Sequence, residues 1–489
     1  LKAELPGVRF LHAPFTADVV QGTGVRAVFK SPGLAPADTA SLINAAQALG
    51  LWVGGELSLF AQALQDLAET QGYAPKLLAI TGTNGKTTVT ALTGHLLQWA
   101  GKRVAVAGNI GPSLLDTLAQ ALDQSFAQPT NHQTIQQTAV ALPEVWVLEL
   151  SSFQLDLPSG LQASAATVLN LTQDHLDWHS NMEAYAQAKS RIFAPATRMV
   201  LCRDDAAVMA LLKNSQPGTE TAASPAKPEA VRGGKRQRTA ERAYVSFGTD
   251  MPQRPGDFGL EAVHGMSWLV RALEADETGK KSKDLEELHI QRLMPADALR
   301  IRGRHNASNA LAALALCASV GCALGPLLFG LREYRGEPHR VQSVGILDGV
   351  EFFDDSKGTN VGATVAALRG LGAERKLVLI LGGEGKGQDF SPLAEPVARS
   401  ARAVLLIGRD APLIRQALAT SGTPLLDASS MEDAVAQAQQ QAHSGDAVLL
   451  SPACASFDMF QDYAHRARCF VAAVQQLGLT SGTELEQAL

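Results

Sequence analysis

The 489-residue chain has no excess of positive charge. Its 42 Lys and Arg stand against 48 Asp and Glu, a formal net charge of −6. There is no basic field to hold a nucleic acid. Cysteine is scarce: Cys202, Cys317, Cys322, Cys454 and Cys469 form no CxxC pair. An odd, scattered set reads as reduced thiols in a cytoplasm, not as a disulfide framework. No repeat recurs at a fixed period. One charge-free run is as long as a membrane span, Ala310–Leu331, but it contains Ser319, Gly321, Gly325 and Pro326. It reads as a core helix ending near Val320, then a turn. The chain also lacks an initiator methionine and opens inside what reads as a helix tail. A fragment without its first residues is expected.

What is present suffices for real cores, with 46% hydrophobic and 18% charged residues. At roughly 100–200 residues per domain, three domains are expected. Residues 1–74 read as the rear of a small α/β unit. Val25–Lys30 is its strand, Asp38–Leu49 a helix with Asp38 as candidate N-cap, and Leu57–Leu67 a second helix. Such a unit has too few strands to cover both faces of a sheet. Residues 75–336 form a central domain and 337–489 a third. In the third, the apolar runs Leu377–Leu381, Ala403–Ile407 and Ala447–Leu450 alternate with helical patterns. That alternation predicts a parallel sheet with helices on its faces. The Gln- and Thr-rich stretch Gln120–Leu142 and the Pro-, Ser- and Lys-rich stretch Lys213–Glu241 read as surface insertions, and Glu274–Glu287 as a solvated excursion.

The stretch Ile80–Thr88, ITGTNGKTT, follows an apolar run and precedes a helix-like one. Strand, glycine turn and helix N-terminus together aim backbone N–H groups at an anion. Gly82 and Gly85 let the chain curl close to a phosphate. Lys86 offers a point charge and Thr87 a hydroxyl for magnesium. The strict motif G-x-x-x-x-G-K-[ST] asks for glycine where Ile80 stands, so this is a shortened phosphate loop.

Two further central strands, Val145–Leu150 and Thr167–Leu171, end in polar residues. Ligands of a parallel sheet sit beyond such ends. Glu149, at a buried-type strand end, suits Mg2+ together with Thr87. The run Asp174–His179, DHLDWH, read alone, is a polar loop, with His175 a plausible ligand beside a phosphate loop. Lys189, read alone, is a snorkelling surface lysine. Asn306 and Asn309, three apart in RHNASN, share a helical face and could read a base edge; one of them could instead cap the helix. In the third domain, His339–Arg340 and the turn Asp355–Asn360, DSKGTN, suit phosphate and carboxylate contacts, or a plain turn and cap.

TGTNGKTT, GNIG, LELSSFQL, NLTQDHLDWH, AKSRIF, RHNASNALAA, HR, DDSKGTN, GGEGKGQDF and LLSPACASFDMF occur in this order, from about residue 25 to the C-terminus. Together they resemble the Mur ligase family. The phosphate loop alone would also fit folylpolyglutamate synthase or a regulatory ATPase. LELSSFQL, DSKGTN and SPACAS narrow the resemblance to the branch that adds D-glutamate.

The resemblance implies an α/β fold of three domains: an incomplete N-terminal Rossmann-like unit for uridine, a central P-loop-type mononucleotide-binding domain, and a C-terminal Rossmann-like domain contacting D-glutamate and ATP. It implies a monomeric cytoplasmic ligase of peptidoglycan precursor synthesis. ATP phosphorylates the carboxylate of UDP-N-acetylmuramoyl-L-alanine, and the amine of D-glutamate attacks the acyl phosphate. Gly82, Thr83, Asn84, Gly85, Lys86, Thr87 and Thr88 would hold the phosphates, with Arg340 and Lys357 near them. Asn306 and Asn309 would face adenine, and Asp355 would help hold the nucleotide. Thr87 and Glu149 would take one Mg2+. His175 and Lys189 would take a second, with Lys189 carbamylated because an ammonium cannot bind a cation. Thr359, Lys386, Ser456 and Tyr463 would contact D-glutamate. Asn109, Ser151 and Ser152 would contact the muramoyl-alanine part. The sequence departs from the family pattern in the uridine-binding unit, where the first glycine-rich turn and strand are not found.

Overall fold

The computed structural model describes residues 7–126, 141–214, 243–274, 288–373, 375–483 and 485–486. Most of the two expected insertions and nearly all of the charged excursion lie outside these residues. The chain forms two compact units: Leu1–Thr81 with Arg103–Ala166 and His175–Thr197, and Gly82–Lys102 with Thr167–Asp174 and Arg198–Leu489.

In the first unit, β1 (Ala27–Phe29) pairs in parallel with β2 (Trp52–Gly54). The helix between them, Pro36–Ala48, starts two residues earlier than the sequence suggests. Pro36 sits in its first turn, where a missing N–H costs nothing, so Asp38 lies inside the first turn and is not the cap. A second helix, Glu56–Gln71, closes on Gly72 at φ 67°. Its Phe60 packs edge-on against Trp146, ring centres 5.1 Å apart. Three parallel strands follow, β3 (Lys76–Thr81), β4 (Val104–Gly108) and β5 (Val145–Glu149), with β5 in the middle. All five residues of β5 are buried, as expected of a parallel strand covered on both faces. β6 (Ala165–Val168) borders β3. The first residues of the expected 120–142 insertion instead complete the helix Leu114–Phe126.

The second unit carries strands of two sheets. In one, β7 (Arg198–Cys202), β8 (Tyr244–Phe247) and β9 (Phe258–Val263) run parallel, then β10 (Met266–Glu274) and β11 (Leu288–Pro295) turn antiparallel. The charge-free run divides between two helices, the end of Arg304–Ser319, in which every residue from Ala310 to Cys317 is buried, and most of Leu324–Glu333. A helix apolar on all sides belongs in a core. Among the described residues no helix is long and apolar enough to cross a membrane.

The other sheet is β12 (Gln342–Leu347), β13 (Val350–Asp354), β14 (Leu377–Gly382), β15 (Ala401–Ile407), β16 (Leu425–Asp427) and β17 (Ala447–Leu450), in the order 12-13-17-14-15-16. Only β12 is antiparallel. Strand side chains alternate faces, and the core divides accordingly. Leu377, Leu379 and Leu381 join one apolar cluster; Val378 and Ile380 join the other. Truncating one of these leucines to alanine costs about 2–5 kcal/mol.

Candidate active site

The phosphate loop leaves β3 and enters the helix Lys86–Trp99. Two glycines are required by its shape. Gly82 has φ 152°, and a Cβ there would lie 3.0 Å from the Cβ of Leu169. Gly85 caps the helix at φ 82°, where a Cβ would lie 2.9 Å from Asn309 Oδ1. Lys86 Nζ donates to the carbonyls of Gly82 and Thr83, at 3.0 and 2.8 Å. Thr83 and Asn84 are held by the segment after β6. Thr83 N donates to Asn170 O at 3.0 Å and Asn84 N to Asn170 Oδ1 at 2.8 Å. Thr88 is buried.

Arg340 reaches this loop. Its Nη2 donates to Thr87 Oγ1 at 2.7 Å. Its Nε is buried with no hydrogen-bond partner among the described residues. A buried unsatisfied guanidinium N–H is costly unless a ligand supplies the acceptor, and a phosphate oxygen suits its fork.

Beside the loop lies a cavity of about 640 Å³, lined by Asn84, Gly85, Asn309, Asp204, Arg304 and Gly362 among others. Its size fits a nucleoside. Asn309 faces it. Asn306 is buried one turn away, donating to Arg302 O at 2.8 Å and accepting from Asn309 Nδ2 at 3.1 Å. Neither asparagine caps the helix, whose N-cap is Gly303. His305 lines the same cavity and was passed over in the sequence. Its Nδ1 is buried with no partner among the described residues. Burial lowers its pKa to about 4.

In the first unit, Glu149 ends β5 and is 2% exposed. Its Oε1 accepts from Asn109 Nδ2 at 3.1 Å. Ser151 caps the short helix Ser152–Leu155 through Gln154, and Ser152 is buried. Lys189 is not the surface lysine that local sequence suggests. It is 1% exposed, donates to Thr81 Oγ1 at 3.2 Å, and lies 4.7 Å from the Tyr185 ring centre. DHLDWH is not a polar loop throughout. His175, at φ 53°, starts the short helix Leu176–His179 and is exposed. Phe153 organises this segment, 4.7 Å from the His175 ring and 4.4 Å from Trp178.

Three adjacent strands of the last sheet, β13, β17 and β14, deliver their C-terminal loops to one place. This is where α/β sheets bind ligands. Asp355 N donates to Leu450 O at 2.8 Å, and Ser451 Oγ donates to Asp355 Oδ2 at 2.7 Å. The loops carrying Lys386 and Ser456 pair through Glu384 and Ala455, at 2.9 Å each way. Lys386 sits at φ 50°, its ammonium 5.6 Å from the Phe457 ring. Lys357 lies 5.2 Å from the exposed Tyr463 ring, and Thr359 N donates to Lys357 O at 2.9 Å. Burial pushes the Asp355 carboxyl up to about 7. His339 Nδ1 is 2.7 Å from Asp354 Oδ2.

Arg466 underlies this turn and was not singled out in the sequence. It is fully buried and donates to Ser356 O, Ser356 Oγ and Cys454 O, at 2.7, 3.0 and 3.1 Å. Burial lowers its pKa to about 10, so it keeps its charge at neutral pH. Its only sequence signal is an arginine among the apolar residues of the helix Tyr463–Ser481.

Residues 80–317 match the model of the Mur ligase middle domain, and residues 339–454 that of the Mur ligase glutamate ligase domain. The chain is similar to the UDP-N-acetylmuramoylalanine–D-glutamate ligase of Albidiferax ferrireducens, 62% identical over 100% of this chain and 90% of that one. The enzyme of the same name from Cupriavidus pinatubonensis is 52% identical, over 99% and 90%. Among solved structures, the MurF ligase of Thermotoga maritima in complex with ADP has a TM-score of 0.55 at 16% identity, covering 95% of this chain and 97% of that one. The UDP-N-acetylmuramate–alanine ligase of the same organism has a TM-score of 0.52 at 18% identity, covering 95% and 88%. At these identities the likeness is one of fold, a multi-domain α/β arrangement. By its domain matches and its 62% identity over the whole of this chain, the chain belongs to the Mur ligase family.

Proposed function

We propose that the chain is an ATP-dependent, amide-forming ligase of the cytoplasm that joins D-glutamate to UDP-N-acetylmuramoyl-L-alanine in peptidoglycan precursor synthesis. The observation that carries this reading is the 62% identity to a ligase bearing that activity in its name, over the whole of this chain. The unpartnered Nε of Arg340 beside Thr87 supports it at the level of chemistry. We assign residues 1–74 to the uridine nucleotide, 75–336 to ATP, and 337–489 to D-glutamate and the ATP phosphates.

The substrate carboxylate attacks the γ-phosphorus of ATP, and ADP leaves. The D-glutamate amine then adds to the acyl-phosphate carbonyl. The tetrahedral intermediate expels phosphate, and the amine proton passes to solvent. Phosphoryl transfer of this kind is mostly positioning and charge neutralisation. The backbone N–H groups from Gly82 to Thr88, with Lys86 and Arg340, neutralise the phosphates. Lys357, on the turn next to them, is poised for the acyl phosphate. Asn306 and Asn309 set the base, and Asp355 orients the nucleotide. Thr359, Lys386, Ser456 and Tyr463 bind D-glutamate, Lys386 by its charge and the other three by their hydroxyls. Asn109, Ser151 and Ser152 position the muramoyl-alanine part.

The donor set fits magnesium. Thr87 offers a hydroxyl and Glu149 a buried carboxylate, both hard oxygens. Among the described residues no three His, Cys, Asp or Glu are grouped to hold a metal. Thr87 and Glu149 would hold one Mg2+, and His175 with carbamylated Lys189 a second. Bound there, the ions would neutralise charge on the transferring phosphoryl group.

The test is phosphate release from ATP with UDP-N-acetylmuramoyl-L-alanine and a panel of amino acids. Release should need the nucleotide sugar and D-glutamate together. Release at equal rate without D-glutamate, or with L-glutamate and a pterin instead, would overturn the assignment.

A further inference from the structure

Asn360 ends the DSKGTN turn and has no role in the reaction described above. Its side chain is committed at both ends. Oδ1 accepts from Ala363 N at 2.9 Å, capping the helix Val361–Leu371. With the oxygen so used, Nδ2 must point the other way. It donates to Asn84 Oδ1 at 3.2 Å, in the middle of the phosphate loop. Asn84 is clasped on its other flank. Its N–H donates to Asn170 Oδ1, and its carbonyl accepts from Asn170 Nδ2 at 3.0 Å.

Three asparagines therefore run in series, from the segment after β6, through the phosphate loop, to the turn after β13. The close approach depends on Gly362. A Cβ there would lie 2.9 Å from Thr172 Oγ1 and 3.0 Å from Asn84 Nδ2. Asn84, Asn170 and Gly362 also line the cavity beside the loop. A plain cap needs none of this. Serine or aspartate would cap as well, but neither can donate an amide N–H to Asn84.

We infer that Asn360 is a positioning residue for phosphoryl transfer, acting through Asn84. It joins the turn that carries Thr359 and Lys357 to the loop that holds the ATP phosphates. The loop then takes its anion-binding curvature only when that turn is docked on it. This rests on the ligase reading for its substrates, but not for the nucleotide step.

The test separates cap from relay. Asn360→Ser keeps a capping oxygen and is too short to reach Asn84, whereas Asn360→Ala loses both functions. One neutral hydrogen bond is worth about 0.5–1.5 kcal/mol, roughly two- to twelvefold. Asn360→Ser should therefore keep the wild-type unfolding temperature while binding a non-hydrolysable ATP analogue roughly two- to twelvefold more weakly. The kcat/KM for D-glutamate should fall by a similar factor. In an Asn84→Ala background the same substitution should change neither, because the acceptor is gone. Wild-type affinity and kinetics in Asn360→Ser would overturn the inference. So would equal losses in both backgrounds, which would mean that Asn360 does not act through Asn84. If the wild-type chain makes no amide with D-glutamate, the ligase reading fails, and the analogue titration still decides the relay.

Discussion

Arg340 Nη2 donates to Thr87 Oγ1 at 2.7 Å, and the Nε of the same guanidinium is buried with no partner among the described residues. One edge of the fork is thus anchored on the phosphate loop and another is left for an incoming acceptor. A lysine would supply the charge without the planar fork. Arg340→Lys should lower kcat by about tenfold or more, since charge-assisted bonds contribute about 1.5–3 kcal/mol. Its unfolding temperature should stay near wild type. Steady-state phosphate release beside a thermal melt checks both, and an unchanged kcat would mean that charge alone suffices.

Lys189 is 1% exposed, on a helix whose local sequence suggests a solvated lysine. An ammonium there repels a cation; a carbamate offers it two oxygens. Protein equilibrated with 13C-labelled CO2 should give a carbamate carbonyl resonance that Lys189→Arg abolishes. Lys189→Arg should also lose at least about tenfold in kcat, as expected when a ligand of the charge-neutralising ion in phosphoryl transfer is removed. A spectrum identical in both proteins would leave Lys189 as a plain buried amine.

The elements most legible in the sequence were those decided by local pattern. The apolar runs of β5, β14, β15 and β17 fall within a residue or two of where periodicity puts them, because a strand covered on both faces must be apolar throughout. The glycine turn and its helix follow from backbone sterics at Gly82 and Gly85. The burial of Lys189 was not legible, because it depends on Tyr185 and Thr81, and Thr81 is 108 residues away in sequence. Arg466 and His305 were missed for the same reason. Each looks like an ordinary helix residue until Ser356 and Cys454, or Gly303 and Gly370, are brought beside it. Asp38 shows a smaller failure: as an N-cap signal it competed with Pro36, and the proline set the start.

His305 should make stability depend on pH. Its folded pKa, about 4, lies below the usual 6.5 because burial disfavours the charged ring. The unfolded chain therefore binds the proton first as pH falls. The stability contributed by the neutral ring is complete above about 6.5 and is lost as pH drops towards 4. His179 is shifted in the same sense, chiefly by burial. Asp355 acts oppositely. Its carboxyl is raised to about 7, so its burial costs stability as pH rises from 3.8 towards 7. The contribution of His305 thus appears as a difference. Between pH 4 and 6.5, His305→Asn should show a shallower rise of unfolding free energy with pH than wild type, by urea denaturation at each pH. Parallel curves would place the His305 proton outside this linkage.

Gly370 gives a prediction whose sign is unusual. It lies inside the helix Val361–Leu371, where alanine in place of glycine ordinarily stabilises by about 0.5–1 kcal/mol. Here a Cβ would press on the His305 ring, meeting Nδ1 and lying 2.9 Å from Cε1. Gly303 closes the other side, with its own Cβ position 2.9 Å from the same Cε1 and a conformation of φ 93°. The ring has no slack in that slot, so overpacking of about 1–3 kcal/mol should outweigh the gain in helix propensity. Gly370→Ala should lower the unfolding temperature. In a His305→Ala background the same change should raise it, because the obstacle is gone and the helical preference for alanine is then unopposed. A double-mutant cycle by thermal melts reads this reversal directly. A Gly370→Ala protein as stable as wild type, with additive behaviour in the double mutant, would mean that the ring can move aside and that the slot does not fix it.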